Sequence, residues 1–308
     1  MLKKFVFPKG KKFAFTVCDD TDNATVANVK PVYDLLYNCG IKTTKSTWVY
    51  PSRGLFKGSS IQDKEYLHFI HELQERGFEI GLHNVGDGLF TRQEISDGLD
   101  IFKENIGHYP LIQTNHSANP DNIFWWENRF VWPISLIYKI FSQSAAKRGG
   151  ESIINNSFWG DLSKRHIQYI RNLTFNDINT IASDPKMPYP INKTAEFSNL
   201  WFSASDGGAV REFTELISPS NVDRLEREGG ICIVYTHFSS GFVNEIGEVN
   251  SQFEKNIRYL AKKDGWFVPT TTLLDYLANR QDTIDPGYLY KLGTNIRWMA
   301  HKLTKSFN

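Results

Sequence analysis

Two rhythms run along most of this chain, with short continuous apolar runs trading places with segments of helical spacing. Residues 13–18 form an apolar run that predicts a strand. Residues 26–37 carry Val29, Val32, Leu35 and Leu36 at helical spacing and stop at Gly40, a helix-ending glycine. Residues 42–50, rich in Thr, Trp and Val, predict a second strand. A second helix follows at 66–73, ending before Gly77, and a third strand at 78–82. Residues 92–106 predict a third helix, opened by Thr91 as N-cap with Glu94 three residues on. Residues 111–114 predict a fourth strand.

The rhythm fails between about residue 123 and residue 190, where WWENRFVWP, NNSFWGD and DPKMPYP crowd prolines and aromatics together. That stretch predicts a long insertion or a set of lid loops. Regularity returns with strands at 200–204 and 231–235, the second a continuous apolar run suited to burial on both faces. A helix at 253–262, a short strand at 266–268 and a helix at 273–280 complete the pattern. Beyond residue 284, Leu289, Leu292, Ile296, Met299 and Leu303 recur at three and four, with Lys291, Arg297, Lys302 and Lys305 mostly off that stripe. This predicts an amphipathic helix over 284–308, packed on the main domain or on a second subunit. The sharper alternative is a peripheral anchor at a membrane carrying lipid-linked sugar.

Repeated strand–helix units mean a parallel sheet. Asp19-Asp20, His83, Asn115-His116, Asp206 and His237 each sit just after a predicted strand, and such clusters gather at the C-terminal strand ends of closed barrels. The expected fold is therefore a distorted (β/α) barrel of about seven parallel strands over residues 1–283, with the insertion at about 123–190 and a C-terminal helical tail.

Composition narrows the partners. The chain has 308 residues, 41% of them hydrophobic and 22% charged, which is ordinary for a globular protein. A net charge of +1 supplies no field that would attract nucleic acid. No run of about 18 apolar residues occurs to span a membrane, and Lys9, Lys11 and Lys12 interrupt any secretory signal. Cys18, Cys39 and Cys232 are odd in number and fit reduced thiols better than a disulfide framework. These features point to the cytoplasm, with a contact at the inner face of the membrane under the anchor reading of 284–308. Aromatics reach 14%, and Trp125, Trp126, Trp132 and Trp159 are candidates for stacking on a sugar or for ordinary packing.

The polar clusters carry the candidate chemistry. In FTVCDDTD, residues 15–22, two adjacent carboxylates repel unless a cation relieves them, although acids also cap the helix that follows. In GFEIGLHNVGDG, His83 and Asp87 are four residues apart and share a face if the segment makes a helical turn. His116, in TNHSANPDN, is a ligand, a substrate contact or a turn residue. Asp206 precedes two glycines, which is also a turn signal. His237 ends a fully apolar strand and is held by a rigid element. Together the clusters supply a metal site, a base and an acid, the kit for metal-assisted hydrolysis.

At these residues the chain resembles the polysaccharide deacetylases (carbohydrate esterase family four, the NodB-homology domain), as a divergent member. FTVCDDTD, GFEIGLH at 77–83, ICIVYTH at 231–237 and GWFVPTTTLLDYL at 265–277 match that family's phrases in order. The resemblance implies Asp19 as general base, Asp20 and His83 as metal ligands, His237 as general acid and Asp206 as an orienting acid. It further implies a divalent metal, zinc first, and an N-acetylated sugar or glycan as substrate in bacterial-type surface polysaccharide metabolism. Two departures stand out. The family's second histidine is replaced by Asp87, so Asp87 or His116 is the third ligand, and no arginine follows the fourth strand. Hydrolysis of a non-sugar amide, or glycan binding by a degenerate site, are the competing readings.

Overall fold

The computed structural model describes residues 5–117, 119–141 and 149–306. In its first half β1 (Phe13–Asp19), α1 (Val26–Asn38), β2 (Thr44–Thr47), α2 (Lys64–Glu75), β3 (Glu79–Leu82), α3 (Arg92–Ile106) and β4 (Ile112–Gln113) alternate strictly. Then come α4 (Ile134–Phe141), α5 (Gly160–His166), β5 (Tyr169–Phe175), α6 (Thr180–Ser183), β6 (Leu200–Asp206), α7 (Val210–Leu216) and α8 (Pro219–Glu228). The chain closes with β7 (Ile231–Thr236), α9 (Ser251–Ala261), β8 (Gly265–Phe267), α10 (Thr270–Ala278) and α11 (Tyr288–Ser306). Local chemistry sets the ends. Thr91 and Glu94 form the expected reciprocal cap on α3, and Gly107 ends it at φ 94°, a conformation that costs glycine nothing.

Strands β1 to β7 close into a ring, every pair parallel. The expected (β/α) barrel is therefore present, and β8 is an extra strand. β8 pairs with the start of β1, from Phe13 to Phe15, whereas β2 reaches only Cys18 and Asp19. The two short strands thus share one edge of β1, while β7 covers the other from Ala14 to Asp19. All seven residues of β1 are buried, as a strand with layers on both faces must be.

The β1–β2 seam is short, and a side-chain bond reinforces it. Register partners Asp19 and Lys45 form an ion pair at 2.9 Å, and both side chains are wholly buried. Asp19 also accepts hydrogen bonds from the Tyr33 hydroxyl of α1 and the Phe238 amide, at 2.9 and 2.8 Å.

Two expectations need correction. The stretch 123–190 is not one insertion, because it contains β5, which pairs with β4 and β6 as a full barrel strand. Arg171 and Asn172 interrupt its apolar run, YIRNLTF, and hide it among the surrounding prolines and aromatics. The tail is helical, but its apolar stripe is split. Leu292 and Met299 pack with Trp298 against Phe130, Ile134, Leu173 and Phe175, whereas Leu289, Ile296 and Leu303 are exposed. Residues 307–308 of that expected helix and the Lys305 side chain lie outside the described residues. Among the described residues no helix is long and apolar enough to cross a membrane.

The seam gives a stability test. Lys45→Met strands a buried carboxylate, so the unfolding free energy should fall by about 3–5 kcal/mol in a denaturant titration. Adding Asp19→Asn should restore part of that loss, since the charge left behind is removed. A change below about 1 kcal/mol, the scale of an exposed pair, would show that the pair does not hold the seam.

Candidate active site

Side chains alternate along extended chain, so Asp19, the last residue of β1, and Asp20, directly after it, do not share a face. Asp19 turns toward α1 and its Tyr33. Asp20 turns into the barrel and meets Arg171 of β5, a strand that does not pair with β1. The guanidinium grips both oxygens of Asp20, at 2.9 and 2.5 Å, and lies 4.4 Å from the Tyr235 ring centre. Burial alone would raise the Asp20 carboxyl, but Arg171 and His83 outweigh it and hold the group below the usual carboxylate range.

Asp22, two residues on, is the convergence point. Its oxygens lie 2.5 Å from His116 Nε2, 3.3 Å from His83 Nε2 and 2.8 Å from His237 Nε2. Ligand atoms from Asp22, His83 and His116 all fall within 4.8 Å of one another, as do those of Asp20, Asp22 and His237. Burial would raise Asp22, yet the three imidazoles pull it far below its ordinary value.

Hydrogen bonding around the imidazoles tests whether a cation fits. His83 Nδ1 lies 2.9 Å from the Thr114 carbonyl, which only accepts, so Nδ1 carries the hydrogen. In the neutral ring, the form that binds a metal, Nε2 then presents its lone pair toward the Asp22 carboxylate. A lone pair facing a carboxylate across 3.3 Å repels it, and a cation between them turns that repulsion into two bonds. The donor set, one carboxylate and two imidazoles, suits a divalent ion such as zinc.

The backbone behind these ligands is built to hold them. Asn23 and Asn84 directly follow Asp22 and His83, each left-handed, at φ 57° and 51°, a region asparagine tolerates. Asn84 Oδ1 accepts from the His116 amide at 2.9 Å and from Gln113 at 3.0 Å, which locks the third and fourth strand ends together.

The sequence-derived candidates divide as follows. Asp20, His83, His116 and His237 come together. Asp19 does not line the cavity, because strand alternation sends it into the layer between barrel and helices. Asp87 is buried behind His116, its Oδ1 3.9 Å from Nδ1, and its Oδ2 is taken by Ser52 and the Phe56 amide. Of the two alternatives for the third ligand, His116 faces Asp22 and Asp87 does not. Asp206 lies on the cavity wall and receives Lys302 of α11 at 2.5 Å. Of the tryptophans, Trp125 lines the cavity, Trp132 is exposed and Trp159 is core.

Sequence reasoning missed Asp22 and Arg171. Asp22 was visible as the second acid of an i, i+2 pair with Asp20, a spacing that keeps side chains on one side of extended chain. Arg171 had no local signal, since its strand went unrecognised. It supplies from β5 the arginine absent after β4.

His237 Nδ1 faces the Gly208 carbonyl at 3.2 Å while Nε2 faces Asp22. Burial would lower this imidazole, but the bond to Asp22 and the charge of Asp20 raise it, favouring the protonated ring. Asp20, Asp22, His83, Arg171 and His237 open into a cavity of about 540 Å³, lined also by Trp125, Arg129, Asn172 and Trp298, with His116 buried against Asp22. A carboxylate gripped by an arginine, an imidazole raised above its ordinary value and an Asp/His group that could hold a cation stand together at the C-terminal rim of the barrel.

No protein-family model matches this chain, and no curated protein matches it. Among solved structures, a Mycobacterium smegmatis protein assigned as a polysaccharide deacetylase superposes with a TM-score of 0.52 at 12% identity, over 91% of this chain and 96% of its own. A Pseudomonas aeruginosa PAO1 protein with the same assignment gives 0.53 at 11% identity, over 87% of this chain and 92% of its own. The likeness is one of fold: along most of its length this chain has the architecture of the polysaccharide deacetylases.

Proposed function

We propose that this protein is a metal-dependent hydrolase that removes an N-acetyl group from a sugar of a surface polysaccharide or its precursor. The observation that carries the reading is the convergence of Asp22, His83 and His116 beside the Asp20–Arg171 pair and His237 in one cavity. The fold likeness supports the substrate class, and zinc is the first candidate ion by its donor set.

Asp22, His83 and His116 would hold the ion, which supplies Lewis acidity toward a water and the acyl oxygen when bound. Asp20 accepts the proton of the attacking water, and Arg171 keeps that carboxylate ionised and aimed. As the carbon–nitrogen bond breaks, His237 gives its Nε2 proton to the departing amine. Acetate leaves with the water oxygen, and the amine takes up the proton.

Three outcomes test this. Purified protein should carry about one divalent ion per chain by elemental analysis, and His83→Ala should lose it. Asn84→Ala should weaken metal binding about 10- to 100-fold, because the His116 amide and Gln113 lose their shared acceptor. Asp20→Asn should lower kcat for acetate release by about 100-fold or more while the ion stays bound. Full activity in the Asn variant would eliminate Asp20 as the base, and protein without stoichiometric metal would end the hydrolase reading.

A further inference from the structure

The cationic side chains of the cavity wall are paired with acids, with one exception among the described residues. Arg171 holds Asp20, and Lys302 holds Asp206. Arg129, between Trp125 and Phe130 in the chain, lines the same cavity and pairs with no carboxylate among the described residues. Glu212, the remaining acid of that wall, makes no ion pair with it. The guanidinium sits in an aromatic box instead. Its Cζ lies 4.2 Å from the Trp125 ring centre, 5.2 Å from Phe130, 5.5 Å from Trp298 and 6.0 Å from Tyr138.

Hydrogen bonding satisfies Arg129 only in part. The guanidinium meets two neutral acceptors, the Tyr138 hydroxyl and, from Nη1 at 3.4 Å, the Asn172 carbonyl, while Nε is shielded from solvent without a partner. Asn172 Oδ1 is also buried and unpartnered, and Asn172 directly follows Arg171, the residue that grips Asp20. A guanidinium withdrawn from water without a counter-charge is costly, and arginine's planar fork is suited to carboxylate or phosphate. The surrounding rings offer the guanidinium faces to stack on but no acceptor to match its fork.

The box is also backed by strained backbone. Phe124 and Trp126, on either side of Trp125, sit in the left-handed region at φ 44° and 57°. For bulky aromatics this is disfavoured, and such strain persists where surrounding structure over-determines it.

We propose that Arg129 is the seat for an anionic group, a phosphate or a carboxylate, carried by the sugar whose acyl group is removed. The sugar would lie between this seat and Asp20, with Asn172 Oδ1 accepting from one of its hydroxyls. The inference rests on the deacetylase reading for the scissile bond alone; the anion seat can be tested without turnover.

The experiment compares wild type with Arg129→Gln and Arg129→Lys on three probes: N-acetylglucosamine 1-phosphate, an N-acetylated hexosaminuronic acid and a neutral N-acetylglucosamine oligomer. Wild type should favour one anionic probe, which identifies the anion. Arg129→Gln should lower kcat/KM for that probe about 10- to 100-fold, mainly through KM, and leave the neutral oligomer within about twofold. Arg129→Lys, which keeps the charge and loses the fork, should lose less. In parallel, inorganic phosphate should raise the melting temperature of wild type more than that of Arg129→Gln. Should no probe release acetate, the deacetylase reading falls while the phosphate shift still reports on the seat. Equal losses on neutral and anionic probes, or equal phosphate shifts in both proteins, would overturn the proposal and make Arg129 a packing residue of the aromatic box. If Arg129→Gln does not fold, Arg129→Lys on the same probes decides: an undiminished preference refutes the fork as its source.

Discussion

The barrel closes over a seam two residues long, and the buried Asp19–Lys45 pair is the interaction on which the site above it depends. An ion pair without access to water survives only if each charge is well partnered, since taking both out of water costs several kcal/mol per ion. Asp19 meets that condition with an ammonium, a phenol and a backbone amide. The consequence reaches one residue further. With Asp19 anchored outward, strand alternation drives Asp20 inward, and the turn after it carries Asp22 to the imidazoles. Of three acids within four residues, one builds the wall and two face the cavity.

That division explains what the sequence could and could not reveal. The alternation of strands and helices was legible because the buried strands are apolar and the helices are capped by their own residues, as Thr91 and Glu94 show. The histidines at 83 and 237 were legible because each follows a strand directly. That Asp19 lies outside the cavity was hidden because adjacency in sequence conceals the two faces of a strand. β5 failed for a different reason. Strands that contribute several polar side chains to a site lose the apolar signature by which they are recognised, so the stretch that brings Arg171, Asn172 and Thr174 to the cavity looked least like a barrel. Asp87 misled in the same way, since helical i, i+4 spacing counts only where a helix exists.

Charge pairing separates what is structural from what awaits a ligand. Asp19–Lys45, Asp20–Arg171 and Asp206–Lys302 are complete within the chain. Two places are not: the lone pair of His83 against Asp22, and the guanidinium of Arg129 in its aromatic box. The first calls for a cation and the second for an anion, and both open on one cavity. Buried polar groups left unsatisfied are rare because they are expensive, and under the two proposals above these places are the two ends of what binds there.

The two ends also rest on different packing. Asp20, Asp22, His83 and His116 stand just beyond the ends of strands of the main core, while the Arg129 wall rests on a separate cluster of Phe130, Ile134, Leu173, Phe175 and Trp298. α11 completes that cluster with Trp298 and reaches the cavity through Lys302, so the tail is part of the site rather than an appendage. Substitutions in the small cluster can reshape the wall without moving the ligands, because packing strain falls off where two clusters share few side chains. Under the proposed reading, chemistry and recognition thus rest on different packing, and β5 contributes to both through Arg171 and Asn172.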